Sequence, residues 1–135
     1  MVLKIIGGLG ILILSFFISF AILDYFDIPH VHPGCPTGKT IVLDKPFTLL
    51  DGFAYKVSLP SLANIGDTDT ETSRSPAVVC ENGKLMGPAH TPFAEVVKFG
   101  LGRFSNYRAD IVFSSADNTD ANTNGRQYIV VVPSK

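Results

Sequence analysis

TIVLDKPFTLLDGFAYKVSL, residues 40–59, alternates short apolar runs with turn chemistry. The runs 40–43, 47–50 and 54–59 are rich in β-branched and aromatic side chains, and each is too short to stand as a helix. Asp44-Lys45-Pro46 and Asp51-Gly52 separate them, and both are turn signals. Strand, tight turn and strand in succession predict antiparallel pairing.

The same grammar continues downstream. Residues 64–76 (NIGDTDTETSRSP) are polar with no apolar period and read as an exposed loop. Residues 77–80 form the next strand, Asn82-Gly83 favours a type I′ hairpin turn, and residues 84–86 return. One two-turn helix is expected: Thr91 caps it, Pro92 takes its first position, Phe93, Val96, Val97 and Phe99 share its apolar face, and Gly100 ends it. Strands at 102–105, 110–114 and 127–132 complete the pattern, with an Asx-rich turn at 117–125. Many short strands, frequent turns and one short helix describe a mainly β chain, a small antiparallel sandwich of jelly-roll-like form.

Upstream the character changes. Residues 5–23, IIGGLGILILSFFISFAIL, carry no charge. At about 1.5 Å per residue this run spans roughly 28 Å, near the hydrocarbon thickness of a bilayer. It is longer than a cleaved secretory signal's core, and nothing small sits at the spacing a cleavage site needs. The expectation is a retained transmembrane helix. Lys4 precedes the run and Asp24 and Asp27 follow it, so the N-terminus is expected in the cytoplasm and the remainder in the periplasm, the whole held at the inner membrane. Residues 1–26 therefore read as the anchor, 27–38 (DIPHVHPGCPTG) as a linker stiffened by three prolines, and 39–135 as the extracytoplasmic β domain.

Charge and cysteine content narrow the function. Removing Lys4 from the chain's 11 basic and 12 acidic residues leaves 10 and 12 outside the membrane, so no basic excess draws nucleic acid. The two cysteines, Cys35 and Cys80, would lie in an oxidising compartment, which permits a disulfide. The alternative is a buried free Cys80.

Several patterns carry candidate chemistry. Asp120-Ala121-Asn122-Thr123-Asn124-Gly125 fits the first half of a calcium loop, but Val131 stands where an EF-hand needs its bidentate carboxylate. A looser Ca²⁺ site of Asp117, Asp120, Asn122 and Asn124 competes with a hairpin whose Asx side chains bond their own backbone, and the hairpin is favoured. His30, His32 and Cys35, with His90, supply zinc or copper donors, although a disulfide would consume Cys35. GCPTGKT at 34–40 lacks the first glycine of a phosphate-binding loop. No nucleophile and base stand in a recognised motif, so no enzyme activity is expected. In the anchor, Gly7, Gly10, Ser15 and Ser19 are small residues at three- and four-residue spacing, suited to close packing of a second helix.

ENGKLMGPAH (81–90), GRFS (102–105) and FSSADNTDANTNGRQY (113–128) carry a resemblance. Through them residues 75–132 resemble a small module of uncharacterised bacterial proteins, some associated with glycan handling. The resemblance implies a β-sandwich and no reaction. In that family an aromatic, usually Trp, follows the GRFS segment; here Tyr107 stands nearby, and Tyr107 and Tyr128 are the candidate stacking aromatics for a sugar.

Two functions follow as expectations. The first is a single-pass accessory subunit of a larger hetero-oligomeric membrane complex, of photosynthetic reaction-centre, light-harvesting or respiratory type, braced on the periplasmic side and in contact with lipid, pigment or quinone. The second is a membrane-tethered module binding carbohydrate or another envelope ligand. Tyr55, Phe104, Tyr107 and Tyr128 grouped and exposed on one face would favour the second, and their burial the first.

Overall fold

A computed structural model describes residues 33–135. They form eight strands in two four-stranded antiparallel sheets. The strands are β1 (Gly38–Val42), β2 (Thr48–Asp51), β3 (Ala54–Ser58), β4 (Val78–Glu81), β5 (Lys84–Leu85), β6 (Phe104–Tyr107), β7 (Asp110–Phe113) and β8 (Tyr128–Pro133), and the one α-helix among the described residues is α1 (Phe93–Phe99). The first sheet runs β1-β8-β4-β5 and the second β2-β3-β7-β6. The mainly β reading with two sheets and one helix is therefore correct. The strand order is not that of a jelly roll: β4–β5 is a local hairpin of the first sheet, and β2–β3 and β6–β7 are local hairpins of the second. Short turns close these hairpins, as at Asn82-Gly83, where both residues have positive φ.

Alternation along the strands builds the core. Ile111 and Phe113 of β7 face inward with Tyr55 and Phe104, meeting Val79, Tyr128 and Val130 of the other sheet in one buried cluster. Phe47, in the connection between β1 and β2, is its hub, with ring centroids 5.2 Å from Phe113 and 5.6 Å from Tyr128 in edge-to-face contact. Val112 points the opposite way, onto the outer face, where it joins Ala54 and Val96 of α1 in a second cluster. Burying Val96 there contributes roughly 1.5–3 kcal/mol.

The helix departs from expectation in two ways. Pro92 occupies the cap position without a side-chain bond, and Thr91 instead donates its hydroxyl to the Pro88 carbonyl at 2.7 Å. Phe93 and Phe99 do not share the buried face; they are 51% and 44% exposed. A seven-residue helix lying on a sheet buries one narrow stripe, and Val96 with Val97 fills it.

Residues 33–35 lie along β5: Leu85 N donates to Pro33 O at 3.0 Å and Cys35 N to Gly83 O at 2.9 Å. The Cys35–Cys80 disulfide fixes that segment to β4. The expected anchor, with Gly7, Gly10, Ser15 and Ser19, lies outside the described residues. Among the described residues no helix is long and apolar enough to cross a membrane.

Candidate functional site

On the outer face of the second sheet, α1 covers Ala54 and Val112 and leaves Ser105, Tyr107 and Asp110 beyond its edge. Together with residues of the segments 67–72 and 90–93 they line a cleft of about 490 Å³. Its walls combine apolar surface from Phe93 and Val112 with a few convergent polar groups, the usual make-up of a small-ligand site.

Asp67 organises one wall. Its backbone continues the β6 edge: Asp67 N donates to Asn106 O at 2.8 Å, and Arg108 N donates to Asp67 O at 2.9 Å. Those bonds draw part of the polar loop into the protein, so Asp67 and Ser75 are buried where the sequence predicts an exposed loop. The Asp67 carboxylate accepts from Ser75 N at 2.8 Å and holds His90 Nδ1 at 2.7 Å. His90 itself sits in the left-handed region at φ 55. With Nδ1 committed to Asp67, Nε2 is the ring nitrogen left to meet a ligand.

Tyr107, bridged to Asp67 along the β6 edge, also lines the cleft and is 37% exposed. Its hydroxyl donates to Asp69 at 2.7 Å, Arg108 also bonds Asp69 at 3.0 Å, and the Arg108 guanidinium stands 5.1 Å from the Tyr107 ring centroid. The bond from Tyr107 holds the Asp69 carboxyl below its ordinary value, with Arg108 adding to it. The same bond raises the Tyr107 phenol, so the ring is positioned as a protonated donor.

Of the two candidate stacking aromatics, Tyr107 lies in the cleft and Tyr128 does not. Tyr128 is wholly buried with Tyr55 and Phe104 in the inter-sheet core, because the inward register of β8 gives it to Phe47 and Phe113. The four residues of the looser calcium site are each engaged by groups of the protein. Asp117 pairs with Arg126 at 2.6 and 2.8 Å, Asp120 accepts from Tyr55, Asn122 brackets the Phe47 backbone, and Asn124 donates to Tyr128. Among the described residues no three His, Cys, Asp or Glu side chains group to hold a metal ion. Cys35, bound to Cys80, is withdrawn from any metal set with His90.

The residues behind the family resemblance are largely scaffold. Glu81, Asp117 and Arg126 form a linked charge cluster, and Asn118 caps the end of α1 by donating to Phe99 O and accepting from Leu101 N. His90 and Ser105 are the members of those motifs that reach the cleft. Asp67 and Phe93 were missed by sequence reasoning as site residues; Asp67 has no local pattern, and Phe93 reads as helix core. No family model, curated protein or solved structure matches the chain, so the likeness to the bacterial module rests on its motifs alone.

Proposed function

We propose that the protein is a membrane-tethered binding module whose β domain takes a carbohydrate or similarly hydroxyl-rich envelope ligand in the cleft. The observation that carries this reading is the pair Tyr107 and Phe93, both partly exposed at one cavity beside the fixed Asp67–His90 pair. Aromatic surface receives the apolar face of a sugar ring, and oriented carboxylate and imidazole groups receive its hydroxyls. The tether comes from residues 5–23 and sets the ligand's compartment.

The test is a titration of the full chain in detergent with neutral oligosaccharides, followed by calorimetry and by chemical shifts of His90. Saturable binding that perturbs His90, and that falls at least tenfold in Tyr107→Ala, supports the reading. No binding across a panel of envelope glycans, or binding indifferent to Tyr107 and His90, overturns it.

A second reading is favoured by a different observation. Tyr55, Phe104 and Tyr128 are buried in the core, which reduces the aromatic surface available to a glycan and suits an accessory subunit of a membrane complex. Gly7, Gly10, Ser15 and Ser19 would then pack the helix on its neighbours. Co-purification of a fixed set of membrane proteins in mild detergent, lost on Gly7→Leu with Gly10→Leu, supports it, and recovery as a single chain opposes it.

A further inference from the structure

Asp67, Asp69 and Asp110 all line the cleft, and their carboxylates are not equally engaged. Asp67 takes the Ser75 amide and His90 Nδ1, and Asp69 takes Tyr107 and Arg108. Among the described residues Asp110 enters no ion pair. Its place is set by the sheet. Asp110 is paired with Tyr107 on β6 and Ser58 on β3, and alternation puts it on the outer face with Val112, two residues further along β7. Directly paired residues hold their Cβ atoms about 5 Å apart, so Asp110 and Tyr107 share one patch of the cleft. No Lys or Arg is among the residues lining it. Lys56, opposite Val112 on β3, stands diagonally from Asp110 in the register and forms no ion pair with it.

A ligand that fills the cleft covers Asp110 and strips water from its carboxylate. A charge covered without a partner opposes binding. A ligand hydroxyl returns one hydrogen bond and no charge, whereas an ammonium brings three N–H donors and cancels the charge. A ligand carboxylate or sulfate would meet Asp110 as a like charge. Phe93, 51% exposed at the same cleft, adds an aromatic face that attracts a cation.

We propose that the cleft selects a sugar bearing a free amine, and that Asp110 determines the choice. This inference rests on the carbohydrate reading of the cleft and deepens it by naming the ligand's charged group.

The full chain in detergent is titrated with chitobiose in its diacetyl and fully deacetylated forms, at low ionic strength and a pH at which the free amines are protonated. The expected result is at least tenfold tighter binding of the diamine, a preference that shrinks to within twofold in Asp110→Asn and survives in Asp110→Glu. Equal affinities for the two forms overturn the amine assignment and leave the carbohydrate cleft standing. A preference that persists in Asp110→Asn overturns the role of Asp110. Putrescine bound as tightly as the diamine means that charge alone is read, which overturns the sugar. Binding of neither form overturns the amine assignment, and the cleft reading falls with it only if the wider glycan panel is also unbound.

Discussion

The hydroxyl of Tyr128 donates to Glu81 Oε1 at 2.7 Å, across the β4–β8 register in which these two residues are directly paired. Asn124 donates to the same phenol oxygen at 2.7 Å, while Ala116 N at 3.3 Å and Arg126 at 3.4 Å supply the Glu81 carboxylate with further donors. A buried carboxylate is tolerated because it is bonded on several sides. Tyr128→Phe removes the shortest of those bonds and leaves the acceptor buried. The expected loss is about 1–3 kcal/mol, read as a lower urea midpoint with an unchanged slope.

The same phenol makes stability fall at high pH. Burial, with the Glu81 charge adding to it and Asn124 opposing, raises the Tyr128 phenol well above its ordinary 10.0. The folded state thus binds more protons than the unfolded one once pH passes 10. The stabilisation is fully present below that value and is lost as pH climbs from it toward the folded pKa. Thermal melts between pH 8 and 11 should decline for the wild type, and the decline should flatten in Tyr128→Phe.

Asp117 acts at the other end of the scale. Its bonds from Arg126 and then Thr119 hold the carboxyl well below its ordinary 3.8. Its contribution is present above that value and lost as pH falls through and below it. Asp117→Asn should flatten part of the acid-side decline by lowering the neutral-pH melting temperature while leaving the melting temperature at acid pH unmoved, and the change should be small, since the group is exposed and screened.

Breaking the Cys35–Cys80 bond opens a loop with a sequence separation of 45. By loop entropy the loss is about 4 kcal/mol. Cys35→Ser with Cys80→Ser, or wild type melted with and without reductant, should show it, and an unchanged urea midpoint would contradict the estimate.

Calcium should leave the melting temperature unmoved. Asp117, Asp120, Asn122 and Asn124 already bond Arg126, Tyr55, the Phe47 backbone and Tyr128, so a cation would have to break them. A chelator-reversible rise in melting temperature at millimolar calcium is the contrary result.

Cleft and scaffold separate by mutation. Asp67→Ala strands the Ser75 amide in a buried position and frees His90, costing about 1–3 kcal/mol. Tyr107→Ala removes a partly exposed ring and should change stability by no more than about 0.5 kcal/mol. Glycan affinity should fall in both, and differential scanning calorimetry run beside the binding assay separates a lost wall from a loosened one.

Local pattern was enough to read the three runs of residues 40–59 as strands, to place a turn at Asn82-Gly83 and to put a short helix between Thr91 and Gly100, though with the cap one residue early, because period, turn chemistry and chain stiffness act over a few neighbouring residues. The permitted partnership of Cys35 and Cys80 was legible for the same reason that it was uncertain: there are only two cysteines, but composition does not bring sulfurs together. Tyr107 was visible as an aromatic beside a motif. Asp67 was not, since a carboxylate in a polar run looks solvated until an unpaired sheet edge captures its backbone.

What residue order alone settled is thus the secondary structure and its antiparallel sense, both consequences of forces that decay within a few residues. Which strands share a sheet, which face each aromatic takes, and that Asp67, His90, Phe93 and Tyr107 line one cavity were decided by long-range packing. A one-residue change of register would turn Tyr128 outward and its neighbours inward, and only contact between the two sheets selects between those states.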